Sequence, residues 1–152
     1  MGFQCVLAKQ PSQPTLCVRT HAAVGQLPRL VDSTFEQIMQ LLAAQGQEPA
    51  GLPYVAYKNL GMTELDLEIG FPVAKPLPGE GAVQPGQLPG GIWASTLHVG
   101  PYDHVGASWD ELQHFINASG HHSRGVGYEF YFDGPDVPPE KTRTRIMVPL
   151  SD

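Results

Sequence analysis

The sequence predicts an α+β fold made of two copies of a β-α-β-β unit, with an antiparallel sheet, two helices on one face and a central ligand cleft on the other. Three observations support this prediction. Each half of the chain reads as strand, helix, strand, strand. Matching residues recur between the halves at a constant separation. A segment rich in Pro and Gly divides the halves, so we expect one domain over residues 1–152, with repeats at about 1–74 and 91–152 and a linker at about 75–90.

In the first half, the spacing of apolar residues separates a helix from strands. Pro28 suits the first helical position and Gly46 suits a helix end. Between them, apolar residues recur at the spacing of one helix face: Val31, Phe35, Ile38 and Leu42. Strands are predicted around this helix at Phe3–Lys9, Thr15–Ala22, Pro53–Leu60 and Glu64–Val73. Gly61 is expected in the turn between the last two strands.

The second half repeats this order. A helix is predicted over His104–Ser119, and strands are predicted at Gly91–Val99, Tyr128–Phe132 and Thr142–Leu150. Equivalent residues pair at one constant separation: Tyr54 with Tyr128, Tyr57 with Tyr131, Val31 with Val105, Phe35 with Trp109, Ile38 with Leu112, and Leu42 with Ile116. This agreement over a helix face and the following strand indicates an internal duplication. The intervening Lys75–Gly91 shows no periodicity and is predicted to be a crossover linker without an element of its own.

Glu129 stands inside an otherwise aromatic strand. Successive side chains of a strand point to opposite faces, so Tyr128 and Phe130 share one face, and Glu129 shares the other with Tyr131. The aromatic face is expected to pack against the core. A buried carboxylate costs several kcal/mol unless it is paired or hydrogen-bonded. The strand alone therefore leaves two alternatives open, a solvated acid on a wet face or an acid in a ligand cleft.

The duplication favours the cleft. Val55 is the repeat partner of Glu129, whereas Tyr57 and Tyr131 are partners of each other. One carboxylate between two tyrosines suits an aromatic, positively charged ligand, because the rings offer stacking faces and the acid meets the charge. Arg143 and Arg145 alternate on one face of the last strand and would neutralise Glu129 if that face lined the cleft.

Length and charge exclude several classes of protein. The 152 residues carry a formal net charge of −6, and the few basic residues form no extended cluster, so direct nucleic-acid binding is not expected. No apolar run reaches the roughly 20 residues that cross a bilayer, and no signal peptide is recognisable, so we expect a cytoplasmic protein that does not bind membranes. Cys5 and Cys17 lack metal or redox spacing and are expected to be free thiols.

Several segments of the chain together resemble the gyrase-inhibitor-like small-molecule-binding domain, which is also the effector-binding module of multidrug-sensing AraC-type and MerR-type regulators. The matching segments follow one another in the right order: residues 90–94 (GGIWA), 98–102 (HVGPY), 109–112 (WDEL), 128–131 (YEFY) and 148–150 (VPL). The resemblance implies the duplicated β-α-β-β fold with a central cleft. It also implies that Glu129 meets cationic, lipophilic ligands in that cleft, with Trp109 on the helix and with Tyr57 and Tyr131 as cleft tyrosines.

The candidate ligand-binding residues are therefore Glu129, Tyr131, Tyr57, Trp109, Tyr102 and Val55. Regulators of this family carry a helix-turn-helix segment ahead of the domain, whereas only a short strand is predicted there in this chain, so we expect a stand-alone version. The periodicity of its helix also makes Trp109 a core residue, so a ligand contact and a structural role both stay open.

Three functions compete at this stage. The first is a small-molecule-binding protein for lipophilic, cationic aromatic compounds, used in drug sensing or sequestration. The second is a hydrolase that opens cyclopropane-containing genotoxic compounds in the same cleft, because some stand-alone relatives have this activity. The third is a protein that inhibits DNA gyrase by binding it. The same residues serve the first two functions, so the sequence leaves open whether the chain is an enzyme.

No cofactor and no metal are expected. His121 and His122 follow the second helix and His114 lies within it, a pattern more typical of solvated histidines than of a metal site. No nucleophile-base motif and no phosphate-binding glycine loop is recognisable. The sequence leaves a homodimer open.

Overall fold

A computed structural model describes residues 4–58, 64–134 and 136–151 of the chain. In chain order, the helices and strands of these residues are β1 (Val6–Gln10), β2 (Gln13–Ala23), α1 (Leu27–Ala44), β3 (Tyr54–Tyr57), β4 (Glu64–Pro72), β5 (Gln84–Leu88), β6 (Gly91–Val99), α2 (Val105–Ala118), β7 (His122–Ser123), β8 (Gly127–Tyr131) and β9 (Arg143–Ser151). Neither helix in these ranges has both the length and the apolar character that a membrane crossing requires. The turn predicted at Gly61 lies outside the described residues.

The chain divides into two compact units. Residues 11–90 form the N-terminal unit, and β1 joins the residues from Gly91 onward in the C-terminal unit. Each unit contains one helix and an antiparallel sheet. The predicted α+β class is therefore confirmed, and both predicted helices are present within one or two residues of their expected ends.

In the N-terminal unit, the strands lie in the order β3-β4-β2-β5. The helix α1 covers one face of this sheet because its apolar residues recur at helical spacing. Ile38 and Leu42 are fully buried there, as their periodicity predicts. They pack in one cluster with the other buried residues of that face, which are Leu16, Leu41, Phe71, Val73, Leu77 and Val83.

In the C-terminal unit, the strands lie in the order β8-β9-β6-β1, and the short β7 pairs with the end of β9. The helix α2 buries Leu112 and Ile116 completely. These two residues form a cluster with four buried residues of the sheet: Ala94, Ile146, Val148 and Leu150. Trp109 packs against the same cluster, as its helical spacing predicts.

The two units share their topology and register. Tyr54 lies opposite Gly70 and Tyr57 opposite Leu67 across β3 and β4. The equivalent residues Tyr128 and Tyr131 lie opposite Met147 and Thr144 across β8 and β9. The two pairs of strands therefore match residue for residue, which agrees with the duplication seen in the sequence.

The edge strands differ from the prediction. The linker contains β5, which pairs with β2 and places Gly86 opposite Thr15. A Cβ atom at Gly86 would lie 2.8 Å from the sulfur of Cys17, so only glycine allows this close approach. Near the N-terminus, β1 lies within the predicted bounds of the first repeat but before its β-α-β-β sequence, and it pairs with β6 of the C-terminal unit. Each repeat therefore acquires a fourth strand from outside its own β-α-β-β sequence.

Candidate functional site: a buried carboxylate held by three ring donors

Glu129 lies in the interior of the C-terminal unit with 2% of its surface exposed. Three ring groups donate hydrogen bonds to its carboxylate. The hydroxyls of Tyr102 and Tyr131 donate to Oε1 at 2.5 and 2.8 Å, and the indole nitrogen of Trp109 donates to Oε2 at 2.8 Å. The solvated alternative left open by the sequence is therefore wrong, because the acid is buried and hydrogen-bonded.

Three different elements bring these donors to Glu129. Tyr131 lies two residues further along β8, so its side chain shares the face of Glu129. Trp109 comes from the second turn of α2. Tyr102 begins a one-turn 3-10 helix that precedes α2. The chain reverses between β6 and this turn at Gly100, whose φ of 131° lies in a region that other residues rarely adopt.

The face on which Glu129 lies differs from the prediction. Glu129 is opposite Ile146 in the sheet, and Ile146 packs in the cluster formed by α2. The carboxylate therefore points toward the helix of its own unit, whereas the sequence analysis expects it on the face away from the helices. The reason is that both faces of β8 are buried, so the aromatic pattern does not show which face the helix covers.

The opposite face of β8 carries an aromatic cluster of its own. The ring of Tyr128 lies 4.9 Å from that of Trp93 and 6.2 Å from that of Phe130. Arg145 is opposite Phe130 in the register and so lies on this second face. Arg143 is two residues away on the same face and binds Asp133, whose pKa it lowers. The two arginines are therefore not on the face of Glu129.

The arrangement stabilises a negative charge near the surface. Hydrogen bonds to charged groups contribute about 1.5–3 kcal/mol each. The Tyr102 side of the site reaches solvent, because 45% of that residue is exposed and its ring lies 6.2 Å from the ring of Tyr131. One side chain therefore separates the carboxylate from the surface.

Two predicted site residues belong to the N-terminal unit. Tyr57 is 6% exposed and Val55 is fully buried, and both lie on β3. Their register partners, Leu67 and Ile69, alternate with Phe71 along β4, so both side chains lie on the face that α1 covers. Glu129, Tyr131, Trp109 and Tyr102 are joined by hydrogen bonds, whereas the contribution of Tyr57 and Val55 to ligand binding stays a prediction.

A second buried acid, Glu68, was not singled out from the sequence. It is 5% exposed. The Tyr54 hydroxyl donates to its Oε2 at 2.8 Å, and the Arg19 Nε atom donates to its Oε1 at 3.2 Å. Burial raises the pKa of Tyr54 far above its usual value, and the charge of Glu68 raises it further. The alternation of acids and leucines in β4 looks like a solvated face, and only the cross-strand position of Arg19 identifies an ion pair.

Other features of the described residues are less specific. Among residues 4–58, 64–134 and 136–151, no group of three or more His, Cys, Asp or Glu is placed to hold a metal. Cys17 is a buried free thiol and Cys5 a partly buried one. An open depression of about 770 Å³ follows α1 in the N-terminal unit, but Glu48 is the one acid among its lining residues. The surroundings of Glu129 are therefore a better candidate for a functional site than this depression.

Comparison with solved structures shows the same fold in several proteins. The EcmrR C-terminal domain matches with a TM-score of 0.79 and 18% identity over 98% of both chains. The EcmrR chain in a complex with DNA matches over 98% of this chain, which spans 57% of that longer one. A hydrolase from Listeria innocua matches with a TM-score of 0.72 and 14% identity, over 97% of this chain and 92% of that one. SAV2435 bound to tetraphenylphosphonium matches with a TM-score of 0.63 and 16% identity, over 97% and 94% of the two chains.

The sequence itself was compared with curated proteins and with family models. No curated protein matches it. The model of the GyrI-like small-molecule-binding domain matches residues 16–151, which is most of the chain. Together with the repeated β-α-β-β units and the buried acid, this match leads to one conclusion: the chain belongs to the GyrI-like small-molecule-binding domain family.

Proposed function

We propose that this domain binds lipophilic, cationic aromatic molecules beside Glu129, in a role of drug sensing or sequestration. The observation that carries the proposal is the burial of a carboxylate among aromatic donors. Glu129 is 2% exposed and receives its described side-chain hydrogen bonds from two tyrosines and a tryptophan. All three described donors are ring groups, so an aromatic surface surrounds the carboxylate.

The energetics favour moderate affinity. A desolvated cation over an aromatic ring gains about 0.5–2 kcal/mol. A charge pair adds a few kcal/mol before the cost of desolvation is subtracted. Together with burial of the ligand's apolar rings, which contributes about 25 cal/mol per Å², these terms support binding in the micromolar range, which corresponds to about −8 kcal/mol. Aromatic rings also tolerate many ligand shapes, so we expect a broad range of ligands.

The neighbouring structures supply a suitable probe. SAV2435 was solved bound to tetraphenylphosphonium, a lipophilic aromatic cation. At 16% identity the likeness extends to the fold alone. Tetraphenylphosphonium nevertheless has the charge and the rings that the surroundings of Glu129 would recognise, so we choose it as the first ligand to test.

The test is a titration of purified protein with tetraphenylphosphonium, followed by calorimetry and tryptophan fluorescence. We expect saturable binding, and we expect Glu129→Gln to raise the Kd by about 30-fold, because losing a buried charge partner costs 2 kcal/mol or more. Glu68→Gln is the matched control and should leave the Kd within about threefold. Absence of binding to wild type, or equal binding by Glu129→Gln, would refute the proposal.

The ligand contacts predicted for Tyr57 and Val55, which both lie on β3 of the N-terminal unit, are tested by substitution. Tyr57→Leu removes an aromatic face and should raise the Kd for tetraphenylphosphonium by about threefold to tenfold, since ring contacts with a cation are worth about 0.5–2 kcal/mol. Val55→Ala at the neighbouring strand position removes no ring and should have a smaller effect. Equal Kd values for wild type and Tyr57→Leu would contradict the predicted ligand contact of Tyr57.

A hydrolase is the second candidate, because Glu129 lies within hydrogen-bond distance of two phenols. In such a reaction, Glu129 would deprotonate water and Tyr131 or Tyr102 would donate a hydrogen bond to the leaving system. The expected substrate is a cyclopropane-containing genotoxic compound. Product analysis after incubation decides the matter: ring-opened product lost in Glu129→Gln supports the hydrolase, and unchanged compound at high protein concentration excludes it.

A further inference from the structure

His98 is hydrogen-bonded to the residues that directly precede Tyr102 and Trp109, two of the donors to Glu129. It lies near the end of β6, is 7% exposed and makes two hydrogen bonds. Its Nε2 atom lies 3.0 Å from the carbonyl oxygen of Pro101, and its Nδ1 atom lies 2.9 Å from the hydroxyl of Ser108. Pro101 directly precedes Tyr102, and Ser108 directly precedes Trp109.

The hydrogen-bond partners fix the tautomer of the neutral ring. A carbonyl oxygen can only accept, so the Nε2 atom of His98 carries a hydrogen and donates it to Pro101. In the neutral imidazole Nδ1 then accepts, and the Ser108 hydroxyl donates to it. The same Pro101 carbonyl also accepts from the backbone nitrogen of His104 at 3.0 Å, which closes the turn that begins with Tyr102.

We propose that His98 is a positioning residue for ligand binding, acting through Pro101 on Tyr102 and through Ser108 on Trp109. One imidazole thereby sets the distance between the turn and the first half of α2. Tyr102 and Trp109, which follow these two residues, donate to different oxygens of the Glu129 carboxylate, Oε1 and Oε2. Loss of His98 would let the two donors move independently and would weaken the preorganised site.

This inference rests on the proposed function for its effect on affinity, but the position of Trp109 can be measured without a ligand. The indole N–H resonance of Trp109 reports its hydrogen bond to Glu129, and the chain contains one other tryptophan, Trp93. Trp93→Phe assigns the two resonances. Glu129→Gln gives the position of the Trp109 signal when its charged acceptor is removed.

Four variants separate the two connections. His98→Asn keeps an acceptor near the Nδ1 position and so retains the Ser108 connection. His98→Gln keeps a donor near the Nε2 position and so retains the Pro101 connection. Ser108→Ala removes the Ser108 connection alone, and His98→Ala removes both. Circular dichroism establishes that each variant is folded, and if His98→Ala does not fold, the other three still decide the question.

His98→Gln and Ser108→Ala lose the Ser108 connection, so we expect their Trp109 resonance to move toward the position seen in Glu129→Gln. His98→Asn retains that connection, so its Trp109 resonance should stay at the wild-type position. The Kd for tetraphenylphosphonium should rise by about 10-fold in His98→Ala, the lower limit for residues that orient a binding shell, and less in the single-connection variants. A wild-type Trp109 resonance in both His98→Gln and Ser108→Ala would overturn the inference.

The two proposals fail in different ways. If wild type binds no tetraphenylphosphonium but the Trp109 resonance moves as expected, the proposed function is wrong and the positioning role of His98 stands. If wild type binds the cation through Glu129 but the resonance does not respond to loss of the Ser108 connection, the positioning role is wrong and the function stands.

Discussion

Glu129 in the C-terminal unit and Glu68 in the N-terminal unit are both buried carboxylates, but their surroundings differ. Glu68 is held by a guanidinium and a phenol, from Arg19 and Tyr54. The described side-chain donors to Glu129 are two phenols and an indole. The comparison teaches that burial of an acid does not by itself indicate a ligand site. Glu68 forms an ion pair with Arg19 of its own sheet, whereas the described donors to Glu129 are aromatic side chains.

The two acids are not related by the duplication. At the equivalent positions of the other repeat, Glu129 corresponds to Val55, and Glu68 corresponds to Arg145, which lies opposite Phe130 as Glu68 lies opposite Ala56. Glu129 therefore lies on the helix-covered face and Glu68 on the face away from the helix of its unit. The two acids therefore occupy non-equivalent positions of the repeats, in different chemical settings.

The largest expected effect concerns Cys17, a neighbour of Glu68. Burial raises the pKa of the Cys17 thiol from 9.0 to about 11, and the charge of Glu68 also raises it. In a Cys5→Ser background at pH 8, alkylation should be about 100-fold slower than in the unfolded chain, because the thiolate is the reactive form. Equal rates with and without urea would contradict the burial and the raised pKa of Cys17.

The same pKa shift has a consequence for stability. The folded state holds the Cys17 proton more tightly than the unfolded state does. The contribution to stability is therefore fully present below about pH 9 and is lost as the pH rises from 9 to about 11. Urea unfolding of wild type and Cys17→Ala across this range should show a pH-dependent difference, with the wild type losing more stability. Parallel curves would contradict it.

The next effect is on stability at Tyr54, which is fully buried. Tyr54→Phe removes a donor to Glu68 and leaves a buried acceptor short of one hydrogen bond. The free energy of unfolding should fall by about 2 kcal/mol, or about 30-fold in the equilibrium constant. Urea denaturation measures this loss. A change within 0.5 kcal/mol, the usual scatter of surface substitutions, would show that Glu68 does not depend on Tyr54.

Tyr131→Phe should cost less than Tyr54→Phe. Tyr131 is only half-buried, and Tyr102 donates to the same Oε1 atom of Glu129. We expect a loss of about 1 kcal/mol in the free energy of unfolding, because water can replace part of the lost hydrogen bond. The two phenylalanine variants are compared in one urea series. A larger loss at Tyr131 would reverse the order that the burial of the two tyrosines predicts.

The smallest effect is expected at Arg19. Its side chain is 52% exposed, so its ion pair with Glu68 is partly screened by solvent. Arg19→Met should lower the free energy of unfolding by about 0.2–1 kcal/mol. The loss should shrink at high salt, which screens the wild-type pair. A loss above 2 kcal/mol that does not depend on salt would show that the guanidinium is essential to Glu68 rather than supplementary.

The sequence predicts the helices and local registers of this fold better than it predicts which strands pair and which sheet face a side chain occupies. Ile38 and Leu112 are buried where helical spacing places them, and the tyrosine pairs keep equivalent registers in the two repeats. The strand β5 was missed because Pro85 and Gly86 look like a loop, and glycine is needed there for close contact with Cys17. Its pairing depends on the partner strand, which local sequence does not contain.

The candidate site was predicted in part for the same reason. Glu129 stands out because an acid inside an aromatic strand is unusual, and Trp109 follows from helical spacing and family resemblance. The sheet face predicted for Glu129 is wrong, because burial on both sides of β8 removes the alternation that would reveal the correct face. Glu68 was missed because its partner Arg19 is distant in sequence and becomes its neighbour only through the register of β2 with β4.

The proposed function requires that the negative charge of Glu129 favours a positively charged ligand. Calorimetry can compare how wild type and Glu129→Gln bind tetraphenylphosphonium and tetraphenylborate. These two ions have nearly the same shape and opposite charges. We predict binding of the cation with a preference of at least about 30-fold over the anion, corresponding to 2 kcal/mol or more, and loss of that preference in the variant. Equal affinity of wild type for both ions, or a preference that persists without the carboxylate, would contradict the account.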